Sequence, residues 1–364
     1  NFKGRREIIT DLKRGALVVA ILFMLSPILT LVLGNEAMAK RPRRGASPGC
    51  GEVPPTAIGQ TETLYMTFEG LNRKYNVHLP PGYDPDVPHS LVLNIHGYNG
   101  NSEEQEVNTS EMSVNADANG YIVVYPEAYP YDGGIWRGPE WLATGPVRTW
   151  NDLACNSSPG PEGPICAHNA FSYAAHPCAP GECNYCGCQD DIGFIDALLD
   201  ELEASYCIDT RREYATGFST GGEFVQRLGC SLADRLAAIV PVHGTLHIGF
   251  DCAPGADIAT MNVWGSNDNI VPPDGTLSTD GYWYTPVSEV IDAWGAAQGC
   301  DTTDTAYPTV SDGIRHWTCT QRDNCANGVE VVSCSWRGPH WWPKQPQSDF
   351  GNEAIWEFLS KHSK

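Results

Sequence analysis

The chain has 364 residues, enough for one large domain or two small ones. It carries 44 acidic and 23 basic side chains, so its formal net charge at pH 7 is −21. This charge excludes electrostatic binding of nucleic acid as a main role, because a protein that binds phosphates needs a basic surface.

Residues 1–39 have the pattern of a secretory signal. A basic segment precedes an apolar run at 16–33, and Ala37-Met38-Ala39 matches the small-x-small cleavage pattern. An uncleaved membrane anchor is the alternative, because 18 apolar residues reach the minimum that spans a bilayer. We predict cleavage after Ala39 and a secreted, extracellular protein of net charge −23, without stable membrane association.

All 14 cysteines lie after residue 39, and an even number in an exported chain is typical of disulfides. Cys183, Cys186 and Cys188 have the close spacing of a metal knuckle. No Cys/His pair at zinc-finger spacing follows them, so we expect disulfides and no metal.

Residues 40–62 are a polar leader, rich in Pro and Gly, with Cys50 as a predicted tether. Alternating or continuous apolar residues then predict four strands, the first two joined by a turn at Glu69-Gly70. The predicted strands are 63–68, 74–79, 90–95 and 120–126.

Residues 132–189 form a 58-residue segment with little periodicity, rich in Gly, Pro and Trp and holding six cysteines. A loop of this length in a compact domain is usually functional or disordered, and the cysteines argue against disorder. We predict a disulfide-stapled cap over the active site. Trp136, Trp141 and Trp150 line a substrate groove or form the cap's own small core.

After the cap, strands alternate with helices to the end of the chain. Helices are predicted at 190–202, 223–230, 286–294 and 353–359, and strands at 236–242, 258–264, 313–320 and 329–336. This alternation predicts an α/β fold, a mostly parallel sheet with helices on both faces. The predicted catalytic domain is 63–364, with 132–189 as its cap insertion.

Gly217-Phe218-Ser219-Thr220-Gly221 has the form Gly-x-Ser-x-Gly, between an apolar strand and a helix. This context is that of a nucleophile elbow, where the serine hydroxyl projects from a sharp strand-to-helix turn. An ordinary glycine turn is the alternative reading of the motif alone. The helix that follows directs its N-terminal N–H groups toward charge that develops at the site.

In an α/β-hydrolase the chain order is Ser, then Asp or Glu, then His. Asp268 follows an apolar strand in Trp264-Gly-Ser-Asn-Asp268, and His340 lies in the loop after the strand that ends at Trp336. We predict Ser219 as nucleophile, Asp268 as acid and His340 as base. Backbone N–H groups of Tyr98, after the strand that leads into His96-Gly97, and of Thr220 are the predicted oxyanion hole. An ordinary glycine turn is the alternative interpretation of the segment 96–100.

Several segments together resemble the secreted α/β-hydrolases of the feruloyl esterase and polyhydroxybutyrate depolymerase (LpqC-like) family. The resemblance spans about residues 63–362. The matching segments are 92–97, 150–155, 190–195, 206–211, 214–222, 264–268 and 338–343.

The resemblance implies an α/β-hydrolase fold and an ester hydrolase with Ser219, Asp268 and His340 as its triad, and no cofactor. Thr220 and His243 depart from residues common in the family. We expect an esterase for feruloyl-type esters of plant cell-wall polysaccharide, with Trp150, Trp341 and Trp342 as substrate-binding residues. The alternatives are a polyester depolymerase and an inactive carbohydrate-binding protein.

Three disulfides are suggested by position. Cys207 and Cys230 flank the elbow unit and are candidates to pair. Cys319 and Cys334 lie nearly opposite each other on a hairpin, which leaves Cys300 with Cys325.

Overall fold

The computed structural model describes residues 45–137, 140–168, 170–173, 183, 185–250, 254–308, 317–344 and 349–364, with backbone only at 132–145 and 171–173. The predicted signal segment 1–39 lies outside the described residues. Within them, no helix combines the length and apolar character needed to cross a lipid bilayer.

The described part of the chain contains thirteen strands in two sheets. Ten strands form the main sheet, in the order β1-β2-β4-β3-β8-β9-β10-β13-β12-β11, and three form a small sheet, in the order β6-β5-β7. The strands are β1 (Thr61–Phe68), β2 (Leu71–His78), β3 (His89–Ile95), β4 (Ile122–Pro126), β5 (Tyr131–Arg137), β6 (Glu140–Val147), β7 (Phe171–Tyr173), β8 (Ile208–Phe218), β9 (Ala238–Val242), β10 (Ala259–Gly265), β11 (Asp304–Ala306), β12 (Thr318–Arg322) and β13 (Val331–Trp336).

The centre of the main sheet is parallel. β4, β3, β8, β9, β10 and β13 pair in parallel, whereas β1, β2, β12 and β11 extend the two edges with antiparallel pairs. β3, β4 and β9 are buried along their whole length, as expected for strands covered on both faces. The mostly parallel sheet predicted from the sequence is confirmed.

The first hairpin shows why the sequence sets its register. Phe68 pairs with Leu71 across a two-residue turn, and Glu69 and Gly70 have φ of 49° and 78°. Positive φ at both central residues gives a turn whose twist matches that of the flanking strands. The predicted turn at Glu69-Gly70 is therefore confirmed.

Helices cover both faces of the sheet. Phe194, Leu228 and Trp294 lie in the core on one face, and Met112 and Ile355 lie in the core on the other. The four helices after the segment 132–189 were predicted, whereas the helical segments at 102–119 were not. The helices are α1 (Ser102–Glu104), continued by a π-helix (Gln105–Ser110), α2 (Met112–Asn119), α3 (Asp191–Ser205), α4 (Thr220–Ser231), α5 (Val287–Ala297) and α6 (Phe350–Leu359).

The segment 132–189 is stapled as predicted, but it also contains regular structure that its composition concealed. β5, β6 and β7 pair in an antiparallel sheet. Disulfides join Cys155 to Cys186 and Cys166 to Cys183. Tyr185 packs in one apolar cluster with Tyr282, which follows β10, so the end of the segment lies against the loop after that strand.

The suggested pairing of Cys207 with Cys230 is wrong, because Cys207 is bonded to Cys50. The leader lies against the start of β8, where the Ser47 N–H donates to the Ile208 carbonyl at 2.9 Å. Cys50 is thereby brought to Cys207 from 157 residues away, and it tethers the leader as expected. The pairs Cys300–Cys325 and Cys319–Cys334 are confirmed.

Candidate active site

Four neighbouring parallel strands end at the same edge of the sheet, and each carries a polar side chain into the loop that follows it. Ser219 follows β8, His243 follows β9, Asp268 follows β10, and His340 follows β13. β3 lies between β4 and β8, so the strand order reverses beside the serine. Ligands of open α/β sheets bind in the crevice at such a reversal.

The turn at Ser219 is strained and is held by glycines. Ser219 has φ 57° and ψ −122°, a backbone conformation that residues with side chains rarely adopt. A Cβ on Gly217 would lie 2.7 Å from the Gly221 carbonyl oxygen, and one on Gly221 would lie 2.4 Å from the Ile95 carbonyl oxygen. Only glycines allow the strand, the turn and the helix to pack this closely.

A continuous hydrogen-bonded chain joins the three residues predicted as the triad. Ser219 Oγ lies 2.9 Å from His340 Nε2, and His340 Nδ1 lies 2.7 Å from Asp268 Oδ2. The other carboxylate oxygen, Oδ1, accepts from the backbone N–H groups of Ile270 and Val271, both at 2.9 Å. The structure therefore brings these three side chains together.

His243 also contacts the hydrogen-bonded chain of Ser219, His340 and Asp268. From the sequence it was noted only as a departure from the residue common in the family, and no role was predicted for it. Its Nδ1 lies 2.6 Å from Asp268 Oδ2, and its Nε2 accepts from the Trp336 indole N–H at 3.1 Å. An indole only donates, so the proton of this neutral ring is on Nδ1 and is donated to Asp268. Burial lowers the pKa of His243, in agreement with a neutral ring.

The carboxylate of Asp268 is thus the acceptor of two imidazole N–H groups on one oxygen. Burial favours its neutral form, but the hydrogen bonds from His243 and His340 outweigh burial and hold its pKa well below the usual range. Asp268 is therefore ionised at neutral pH. An ionised carboxylate fixes the orientation of the His340 ring.

The loop predicted to supply an oxyanion N–H lies directly against the serine. A Cβ on Gly97 would lie 3.3 Å from Ser219 Cβ. His96 holds this loop, because its Nδ1–H donates to the Gly97 carbonyl at 2.7 Å and its Nε2 accepts from the Ala128 N–H at 3.0 Å. Burial lowers the pKa of His96 to about 4, so the ring is neutral in this arrangement.

A cavity of about 520 Å³ opens in front of Ser219 and His340. Both residues predicted for the oxyanion hole, Tyr98 and Thr220, line it. Thr220 is the first residue of α4, where backbone N–H groups have no acceptor within the helix. Aromatic and aliphatic side chains form one part of the remaining wall: Phe218, Ile270, Val271, Tyr282 and Tyr284.

The three tryptophans predicted as substrate-binding residues do not line this cavity. Trp150 is buried, stacks on Phe224 and donates to the His96 carbonyl at 2.9 Å, so it supports the loop from beneath. Trp342 is buried and donates to Asn352, whereas Trp341 is 66% exposed. The side chains of Trp136 and Trp141 lie outside the described part of the structure.

Two groups of side chains among the described residues are close enough to share a metal ion. In the first, Cys155 and Cys186 form a disulfide, so neither is available as a thiolate. The second is the cluster of His243, Asp268 and His340, whose facing atoms are hydrogen-bonded to one another. We assign neither group as a metal centre.

Known proteins with similar sequences are esterases. No protein-family model matches the chain. The chain is 28% identical over 323 residues to feruloyl esterase C of Emericella nidulans, covering 87% of this chain and 93% of that protein. It is 26% identical over 314 residues to the "Probable feruloyl esterase C" of Aspergillus niger, covering 86% and 90%.

Among solved structures, the chain is similar to an acetyl xylan esterase from Aspergillus awamori, with a TM-score of 0.50 and 14% identity over 82% of this chain and 99% of that one. The likeness to that structure establishes the α/β-hydrolase fold. With its esterase relatives, the chain is a carboxylic ester hydrolase, and the resemblance found in the sequence is confirmed. The alternative of an inactive carbohydrate-binding protein is not retained.

Proposed function

We propose that the chain is a secreted serine esterase that releases feruloyl-type acyl groups from plant cell-wall polysaccharide. The observation that carries the proposal is the position of His340, whose ring bonds Ser219 at 2.9 Å and Asp268 at 2.7 Å. The names of the relatives support the acyl group, and the aromatic wall of the cavity accommodates a planar ring. At least five disulfides support an extracellular location.

In the proposed reaction, Ser219 Oγ attacks the ester carbonyl and forms a bond to its carbon. His340 Nε2 takes the hydroxyl proton and passes it to the leaving alcohol, which departs and leaves an acyl-enzyme. Water then attacks the acyl carbon with His340 again as base, which releases the acid and restores Ser219. Asp268 keeps the Nδ1 proton in place and stabilises the imidazolium without accepting its proton.

The developing oxyanion is assigned to the N–H groups of Thr220 and Tyr98. Thr220 follows the nucleophile at the start of α4, and the loop 96–98 lies against Ser219. One such donor is worth about 10²–10³ in rate. The strain at Ser219 keeps the hydroxyl at the floor of the cavity, so little reorganisation is needed when a substrate binds.

We also propose that the segment 132–189 is the cap of this site and that 63–364 is the catalytic domain. Support for the cap comes from Tyr185, which lines the cavity with Ser219 and packs on Tyr282 with ring centroids 4.9 Å apart. The disulfides Cys155–Cys186 and Cys166–Cys183 flank Tyr185 in sequence and restrict its movement.

The experiment measures hydrolysis of methyl ferulate, an aryl acetate, acetylated xylan and a polyhydroxybutyrate suspension by wild type and by Ser219→Ala. Ser360→Ala, which changes an exposed serine, is the matched control. We expect highest kcat/KM on methyl ferulate, loss of about 10³-fold or more in Ser219→Ala, and wild-type rates in Ser360→Ala. Clearing of the polymer alone would replace the proposal with a polyester depolymerase. Full activity in Ser219→Ala would remove the assigned nucleophile.

A further inference from the structure

A buried polar cluster faces the same cavity and takes no part in the proposed reaction. Glu223 lies in the first turn of α4, four residues after Ser219, and both residues line the cavity. Glu223 Oε2 lies 2.7 Å from the Tyr185 hydroxyl, which lies 2.9 Å from His247 Nε2. His247 Nδ1 lies 3.3 Å from the Trp283 carbonyl oxygen.

The number of available protons determines which group donates and which accepts in each hydrogen bond of this cluster. A carbonyl only accepts, so His247 Nδ1 carries a proton, and in a neutral ring Nε2 then accepts from the Tyr185 hydroxyl. That hydroxyl has one hydrogen, so the second bond requires Glu223 to be a neutral acid that donates to Tyr185. Burial raises the pKa of Glu223 well above its ordinary value and lowers that of His247, in agreement with this assignment.

The assignment leaves one atom without a partner. Glu223 is 1% exposed, and its Oε1 has no hydrogen-bond partner among the described residues. In the neutral acid with its proton on Oε2, Oε1 is the carbonyl oxygen and accepts only. An unpaired buried acceptor is costly, and a bound molecule that donates a hydrogen bond to it removes this cost.

We propose that Glu223 Oε1 is the acceptor for a hydroxyl group on the acyl part of the substrate, the phenolic hydroxyl of a hydroxycinnamoyl ester. This inference rests on the proposed function, because it takes the acyl group to lie in the cavity in front of Ser219. Tyr282 and Tyr284, both cavity-lining, provide aromatic surface beside the cluster for the ring that carries the hydroxyl. Carboxyl groups of Glu104 and Asp280 also line the cavity and disfavour an anionic ligand, so the hydroxyl binds in its neutral, donating form.

Glu223 is then a specificity-determining residue. A site with a buried acceptor rejects an analogue that lacks the matching hydroxyl, because the acceptor stays unpaired. A methyl ether is rejected for the same reason and also occupies more space. The methyl esters of 4-hydroxy-3-methoxycinnamic, 3-methoxycinnamic and 3,4-dimethoxycinnamic acid differ only at the 4-position, and none carries a sugar hydroxyl.

The test compares kcat/KM of the full chain on these three esters, expressed as ratios to the 4-hydroxy compound. Wild type is expected to favour the 4-hydroxy ester at least about tenfold over both others. Glu223→Gln keeps a carbonyl acceptor and an N–H donor toward Tyr185, so it is expected to retain the preference. Glu223→Leu removes both and is expected to bring the ratios to within about threefold of unity. Glu357→Leu, the same change on the exposed face of α6, is expected to leave them unchanged.

Tyr185→Phe is the second variant, and it keeps the test decisive if Glu223→Leu does not fold. It removes the hydroxyl that orients Glu223 and is expected to reduce the preference by several-fold. The assignment would be overturned if Glu223→Leu kept the wild-type preference for the 4-hydroxy ester. If Glu223→Leu does not fold, the same result in Tyr185→Phe would overturn it. Equal rates of wild type on all three esters would overturn it while leaving the feruloyl esterase proposal in place, and hydrolysis of none of them would overturn both.

Discussion

Replacement of Gly221 by alanine tests the packing that creates the nucleophile turn. Gly221 lies in the first turn of α4, where alanine is favoured over glycine by about 1 kcal/mol on helix propensity alone. The new Cβ would lie 2.4 Å from the carbonyl oxygens of both Ile95 and His96. Both contacts are with backbone at the end of β3, so no side chain can rotate away to relieve them.

The expected result is a net loss of stability despite the gain in propensity. Relief of two such overlaps requires β3 and α4 to separate, and overpacking of this kind costs about 1–3 kcal/mol or more. The loop 96–98 moves with the end of β3, so the N–H group assigned to the oxyanion also moves. We therefore expect the free energy of unfolding to fall by about 2 kcal/mol or more and kcat to fall with it.

The measurement is urea unfolding followed by fluorescence, together with hydrolysis of an aryl acetate. Gly82→Ala is the matched control, because a Cβ on Gly82 has no heavy atom within 4 Å and its φ is not positive. The control is expected to lie within about 1 kcal/mol of wild type. A Gly221→Ala variant as stable as wild type, with unchanged kcat, would refute the reasoning.

Two further variants test the charges and protons of the fold. His243→Asn is expected to lower the free energy of unfolding by about 1–3 kcal/mol and also to lower kcat, because Asp268 loses a donor and the buried Trp336 N–H loses its acceptor. Asparagine tolerates the φ of 52° at this position, so the backbone itself is not strained by the change. Unchanged values in urea unfolding and in kinetics would contradict this role of His243. Burial raises the pKa of Asp349 to about 7, so the folded state binds its proton more tightly than the unfolded state and this contribution to stability is lost as pH rises from about 4 through 7. Asp349→Asn is therefore expected to gain stability over wild type as pH rises across this range, by about 2 kcal/mol after allowance for partial exposure, and a pH-independent difference in urea unfolding would count against it.

The sequence by itself determined the elements that hold the site. Apolar runs such as β3 and β9 and the Gly-x-Ser-x-Gly turn are encoded in short windows, because strand burial and turn geometry depend on neighbouring residues. Neighbouring parallel strands end at the same edge of a sheet, so the order of Ser219, Asp268 and His340 in the chain predicts that these residues lie close together. In the structure, His340 Nε2 lies 2.9 Å from Ser219 Oγ, and His340 Nδ1 lies 2.7 Å from Asp268 Oδ2.

Only the tertiary structure decided which residues surround the hydrogen bonds that join Ser219, His340 and Asp268. His243 meets Asp268 because β9 lies beside β10 in the sheet, a neighbourhood that no local pattern encodes. Trp150 and Trp342 are buried in the core rather than at the cavity, since a large aromatic side chain suits either place. Tyr185 reaches Glu223 across 38 residues, and Cys50 reaches Cys207 across 157. Such contacts depend on where long loops return to the sheet, which is set by packing of the whole domain and not by the residues of the loop alone.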